Sequence, residues 1–116
     1  MHEIGIAQQI IEIAEESARA QSAKSISKIS LRIGAMSGVV PEALDFAFES
    51  VKLNTMANDA KLEVEYIDMV CFCENCRLEF ESKDNFGIAL CPLCGLASGK
   101  VIKGNEMDVK SIEVIA

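Results

Sequence analysis

Two sets of residues in this chain could hold a metal ion. Cys73 and Cys76 form one Cys-x-x-Cys pair and Cys91 and Cys94 a second, with residues 77–90 between them, a gap that two short strands can span. A two-residue spacer lets both sulfurs of a pair converge on one ion while backbone N–H groups of the turn point toward them, and four thiolates complete a tetrahedral zinc site. Such a closed site has no open position for water or substrate and contributes folding energy rather than catalysis. A rubredoxin-like iron centre is the alternative occupant, because paired Cys-x-x-Cys turns also hold iron; that protein would be a coloured electron carrier. Gly95 follows the second pair, whereas Arg77 stands at the equivalent place after the first, so the first knuckle reads as the less regular one. Cys71 lies one residue from Cys73, too close to make a further knuckle; it reads first as an inert buried thiol, with an alternative ligand or an oxidation-prone spare as the other readings.

The second set is at the N-terminus. His2 is the one histidine in the chain, next to the terminal amine and followed by Glu3. Taken alone, a histidine there reads as a solvated residue at a loose end. The chemistry available to it is nonetheless specific: an α-amine, the following backbone amides and an imidazole are nitrogen donors that can wrap a square plane, the geometry that selects Ni(II) or Cu(II). The first amides of a helix have no intrahelical acceptor and can lose their protons to a metal without breaking the ladder. The positive end of the helix dipole opposes a cation, and Glu3 partly offsets it. A residue as large as His2 hinders removal of Met1, which keeps the terminal amine in register.

Around these sets the chain has ordinary globular composition. Its 116 residues are 50% hydrophobic and 25% charged, which suits one domain with a small appendage and excludes a disordered chain. Eleven Lys+Arg against 18 Asp+Glu give a net charge of −7, which disfavours general nucleic-acid binding. A nucleic-acid-binding zinc ribbon would need a basic, aromatic face, and the cysteine segment offers only Arg77, Lys83, Lys100 and Lys103 among several acids. Acidic residues stand where a secretion signal carries basic ones, and the uncharged stretch from Phe86 to Gly99 falls short of the ~20 residues of a membrane span. A cytoplasmic protein without membrane association is expected. In that reducing compartment cysteine pairs read as metal ligands, not disulfides.

Hydrophobic periodicity supplies the scaffold. Ala7, Ile10, Ile11, Ala14 and Ala18 recur at helical spacing between Ile4 and about Gln21. Ile29, Leu31 and Ile33 alternate with polar residues as a half-buried strand, which stops in the loop Gly34 to Gly38. Pro41 fits the first position of a second helix with a stripe of Leu44, Ala47, Phe48 and Val51, and a second strand carries Leu62, Val64 and Tyr66 on one face. Strand character returns from Met107 to Ile115, where the apolar parity shifts between Val109 and Ile112, as at a bulge or a sheet edge. The expected fold is α+β: two helices on a three-stranded sheet, with a zinc-ribbon-like four-cysteine subdomain inserted between the second and third strands. The expected division is 1–70 plus 104–116 for the α+β domain and 71–103 for the cysteine subdomain, which holds too little apolar sequence to fold without a metal.

Met1-His2-Glu3 opening an amphipathic helix, the two Cys-x-x-Cys knuckles, and Gly104-Asn105-Glu106-Met107 leading into the last strand together resemble the HypA/HybF family of hydrogenase nickel-incorporation proteins. The resemblance covers the whole chain. It implies a nickel metallochaperone, not an enzyme, with Ni(II) as transferred cargo at Met1, His2 and Glu3, held by the His2 side chain and terminal backbone nitrogens. It also implies structural Zn(II) at Cys73, Cys76, Cys91 and Cys94. The implied partners are a HypB-type GTPase and the precursor of the [NiFe]-hydrogenase large subunit. The chain has no Gly-x-x-x-x-Gly-Lys-[Ser/Thr] loop, so nucleotide hydrolysis would belong to the partner. Exposed sheet edges leave room for a homodimer. The competing readings are a zinc-stabilised protein-interaction module without nickel transfer and the rubredoxin-like carrier.

Overall fold

Residues 3–82 and 89–116 are described by the computed structural model. Met1, His2 and residues 83–88, with Lys83 among them, lie outside the described residues. The first helix, α1 (Glu3–Ala20), buries Ala7, Ile10, Ile11, Ala14 and Ala18, the stripe that the spacing predicts. Strand β1 (Ser25–Gly34) follows and starts earlier than the alternation from Ile29 suggests. Ile26 is buried as well, three residues before Ile29, so the strand's apolar parity breaks in its first half and hides its beginning. The Ile26 N–H donates to the Met56 carbonyl at 2.9 Å.

After a 3-10 turn at Ala35–Ser37, α2 (Pro41–Val51) opens with Pro41, whose missing N–H would have been an orphan donor anyway. It buries Leu44, Ala47 and Phe48. Strand β2 (Lys61–Ile67) half-buries Leu62 and Val64, but Tyr66 is 46% exposed, so the alternation expected to run through Tyr66 ends at Val64. The last strand, β8 (Met107–Ile115), has Val109, Ile112 and Val114 half-buried, which reproduces the expected parity shift. The sheet order is β2-β1-β8, so β8 is an edge strand and β1 is central. On the polar face Lys28 of β1 bridges Glu63 of β2 at 3.1 Å and Glu113 of β8 at 3.4 Å, and its pKa is raised chiefly by the hydrogen bond to Glu63, then by the charge of Glu113. Exposed pairs of this kind add little stability.

Between β2 and β8 the chain makes β3 (Met69–Cys73), β4 (Leu78–Ser82), β5 (Ala89–Leu90), β6 (Ala97–Ser98) and β7 (Val101–Lys103). A β4-β3-β7 sheet and a β5-β6 ribbon result. The cysteine segment is therefore inserted between the second and third strands of the main sheet, as expected.

Two compact units partition these contacts. The first contains Met1–Leu31, Val39–Glu65 and Asp108–Ala116, and the second Arg32–Gly38 and Tyr66–Met107. The second unit thus reaches beyond the 71–103 expected from the cysteines, and packing explains why. Met69, fully buried, belongs to the same core as Cys71, Cys73, Phe80, Ala89 and Cys91, and Met36 packs against that core. The Met36 N–H donates to the Gly104 carbonyl at 2.8 Å, and the Gly34 N–H to the Glu106 carbonyl at 2.7 Å. A Cβ on Gly34 would sit 2.0 Å from the Gly104 carbonyl oxygen, so two backbones meet here at a distance only glycine permits. Gly34→Ala is accordingly expected to destabilise the protein by about 1–3 kcal/mol, as overpacking against rigid backbone does. A denaturant midpoint equal to that of the wild type would contradict this close approach.

Candidate metal centre

The second unit is built around its thiols. In β3, Met69, Cys71 and Cys73 alternate onto the buried face, paired in register with Ser82, Phe80 and Leu78 of β4. Cys73 ends the strand, and the turn that follows carries Cys76 back beside it. The Cys76 N–H donates to Cys73 Sγ at 3.4 Å, and the Arg77 N–H closes the turn on the Cys73 carbonyl at 2.7 Å. The second knuckle repeats this design: Ala89 pairs with Ser98 and Leu90 with Ala97, bracketing Cys91 to Leu96, and the Gly95 N–H donates to the Cys91 carbonyl at 2.8 Å.

Arg77 and Gly95 occupy equivalent left-handed positions, with φ of 57° and 77°. The first knuckle is therefore not irregular in backbone. It makes the same turn with a side chain that disfavours it, by roughly 1–2 kcal/mol. We expect Arg77→Gly to be neutral or to stabilise the zinc-loaded protein by up to about 1 kcal/mol, and Gly95→Ala to destabilise it by a similar amount. Thermal unfolding of the two variants side by side checks the sign, and destabilisation by Arg77→Gly would contradict the equivalence.

The four sulfurs of Cys73, Cys76, Cys91 and Cys94 all lie within 4.8 Å of one another, the group of potential ligands found among the described residues. Cys73 Sγ and Cys94 Sγ are 3.6 Å apart, and Cys91 Sγ and Cys76 Sγ 3.9 Å. Zinc–sulfur bonds of ~2.3 Å at tetrahedral angles require sulfur separations of about 3.8 Å, which these two pairs match, and the cluster as a whole fits a zinc site. Cys73 and Cys91 are buried and Cys76 and Cys94 partly so, a closed, mostly water-excluded site.

Protonation is divided unevenly among Cys73, Cys76 and Cys94. Hydrogen bonding with Cys94, then burial and Cys91, pushes Cys76 up to about 12. Cys73 is also raised: the Cys76 amide pulls it down, but burial and hydrogen bonds with Cys94 and Cys91 outweigh that pull. Cys94 is lowered to about 6, above all by the Leu96 backbone N–H, against the opposing effect of burial. The amides of both turns thus support thiolate character, as expected from the spacing, and a divalent cation would displace the protons that Cys73 and Cys76 retain.

Cys71 is fully buried in the same core and is not one of the four converging thiols. Three supporting residues gave no signal in the sequence. Ser98, a buried polar residue, donates its hydroxyl to the Phe72 carbonyl and accepts the Lys100 N–H at 3.3 Å, tying the second knuckle's exit strand to β3. Met36 supplies core from a distant loop, and Lys100 Nζ lies 5.2 Å from the centre of the Phe72 ring. A serine in Ala97-Ser98-Gly99 and a methionine in Ala35-Met36-Ser37 have no pattern that marks such roles.

Of the N-terminal set, Met1 and His2 lie outside the described residues, and Glu3 opens α1. Its carboxylate accepts the Val40 N–H at 3.2 Å, a contact that no sequence pattern announces.

A small α+β scaffold carrying a four-thiol cluster, with no phosphate-binding loop in its sequence, defines the class: a metal-binding protein whose cysteine site is built for structure. Residues 1–114 match the family model described as "Hydrogenase/urease nickel incorporation, metallochaperone, hypA". The chain belongs to the HypA family. It is 44% identical to the hydrogenase maturation factor HypA of Picosynechococcus sp., covering 99% of this chain and 100% of that one, and 39% identical to that of Geobacter sulfurreducens, covering 98% and 99%. The solution structure of the Ni metallochaperone HypA from Helicobacter pylori matches over 100% of this chain and 99% of that one, with a TM-score of 0.68 and 28% identity.

Proposed function

We propose that this protein is a nickel metallochaperone for [NiFe]-hydrogenase maturation, acting by transfer and not by catalysis. Family membership along the whole chain is the observation that carries this reading. Ni(II), the cargo, is taken by the Met1 amine, the His2 imidazole and the backbone nitrogens of His2 and Glu3, while Zn(II) is held by Cys73, Cys76, Cys91 and Cys94. The division of labour assigns zinc to the unit of Arg32–Gly38 and Tyr66–Met107, wider than the 71–103 expected from the cysteines, and nickel to the unit that carries the N-terminus. Zinc holds the two knuckles together when bound. This chain's own contribution is to shape the cluster through the Cys76 and Leu96 amides and to bury it under Phe80 and Met69.

A terminal nitrogen site accepts nickel and surrenders it to a better-fitted site, and the net charge of −7 raises the local cation concentration. The receiving partners are a HypB-type GTPase and, through it, the hydrogenase large-subunit precursor. The compartment is the cytoplasm. The test is maturation in a hydrogenase-producing strain lacking its own HypA. The wild-type gene is expected to restore nickel-dependent hydrogenase activity and His2→Ala to leave it near the deletion background. Equal restoration by both would contradict the reading and leave a zinc-stabilised interaction module.

A further inference from the structure

The Glu3 carboxylate does something for α2 that α2 cannot do for itself. Val40 is the N-cap of that helix, with extended backbone, and valine has no oxygen with which to cap. Pro41, at the first helical position, has no N–H. Glu3 Oε2 accepts the Val40 N–H from the start of the other helix, 37 residues away in the chain. A carboxylate is also favoured at the positive end of the α2 dipole. The residue immediately after His2 is therefore anchored through its side chain, while the first backbone amides of α1, its own included, have no intrahelical acceptor.

We infer that Glu3 is the positioning residue of the N-terminal nickel segment: its carboxylate, held by the Val40 amide, sets where the first turn of α1 presents its backbone nitrogens. The inference rests on the nickel site proposed above. Anchoring removes chain freedom that nickel would otherwise have to freeze on binding, so affinity gains without any contact between the carboxylate and the metal. Linkage makes the effect reciprocal, and nickel must strengthen the Glu3 to Val40 contact by the same factor.

The experiment compares zinc-loaded wild type, Glu3→Ala, Glu3→Gln, Val40→Pro and the Glu3→Ala/Val40→Pro double variant. Val40→Pro removes the donor, at an exposed position whose φ of −89° lies near the proline range. Nickel affinity is read by calorimetry and exchange of the Val40 amide by NMR. Glu3→Ala is expected to weaken nickel roughly three- to tenfold, the worth of one hydrogen bond. Val40→Pro should match it, the double variant should add nothing further, and Glu3→Gln, which keeps an acceptor, should stay near wild type. Nickel should slow Val40 exchange in the wild type and leave it unchanged in Glu3→Ala. Unchanged affinity in Glu3→Ala overturns the inference while the nickel site stands. So does a loss in Glu3→Gln equal to that in Glu3→Ala with Val40→Pro at wild-type affinity, which assigns the effect to charge alone. If the wild type binds no better than His2→Ala, the nickel reading fails and the inference with it.

Discussion

Cys91→Ser is expected to abolish stoichiometric zinc and to unfold the second unit while the two helices persist. Among the described residues the core of that unit is made largely of the ligands and their neighbours: Cys73 and Cys91 are buried members of it, Cys76 and Cys94 pack against it, and Met69, Phe80 and a few small or half-buried residues add apolar mass. A core so small cannot offset the entropy of ordering the five short strands, whereas binding of structural zinc contributes on the order of 10–16 kcal/mol in small zinc modules. Removing one of four ligands forfeits most of that and leaves three clustered thiols without their ion. The buried residues of α1 and α2, by contrast, include no cysteine. In an amide correlation spectrum, resonances of Met69–Cys73, Leu78–Ser82 and Ala97–Lys103 should collapse toward unfolded positions, and those of α1 and α2 should stay dispersed. Zinc removal by chelation should reproduce the pattern. A variant that kept β3 and β4 folded without metal would show that zinc is dispensable to this unit.

The second large effect is at the N-terminus. His2→Ala is expected to weaken Ni(II) binding by more than about 100-fold, because loss even of groups that only support a ligand costs 10–100-fold. Placing Gly-Ser-Gly before Met1 should be as damaging: it keeps the imidazole and the helix but converts the α-amine to an amide and moves the true terminus out of reach. Neither change touches the cysteines, so both proteins should retain one zinc and wild-type unfolding behaviour. Calorimetry on zinc-loaded protein, with metal content measured before and after, separates these outcomes. Nickel affinity indifferent to both changes would place the ion elsewhere.

The scaffold of the first unit was legible because its elements bury one stripe each. Ala7, Ile10, Ile11, Ala14 and Ala18 in α1, and Leu44, Ala47 and Phe48 in α2, repeat at helical spacing with polar residues between them, and the structure buries those same residues. Legibility failed where the period broke. Ile26 is out of phase with Ile29, so the first residues of β1 were missed, and Tyr66 keeps the phase of β2 but is exposed near its end. The thiol cluster was legible for a different reason, since a Cys-x-x-Cys spacing is itself a geometric statement about two sulfurs and a turn. What it could not announce was the support around the cluster. Met36 packs from outside the cysteine segment, Ser98 acts through one hydroxyl, and Gly34 and Gly104 meet backbone to backbone; single contacts of these kinds leave no periodic trace. The left-handed turn at Arg77 was hidden because a residue type that disfavours that conformation occupies it.

Zinc and nickel are assigned to different ligands by this account, thiolates for the resident ion and terminal nitrogens for the cargo, in keeping with their preferred geometries. The most direct test is an amide NMR spectrum of the zinc-loaded protein, uniformly nitrogen-15 labelled and beginning at Met1, before and after one equivalent of Ni(II). Square-planar low-spin nickel is diamagnetic and replaces amide protons at the nitrogens it binds. The predicted result is loss of the His2 and Glu3 amide signals, a slowed Val40 amide, and unmoved signals at Cys73, Cys76, Cys91 and Cys94. Preserved His2 and Glu3 amides with displaced cysteine signals and released zinc would contradict the account, because nickel would then be competing for the thiolates.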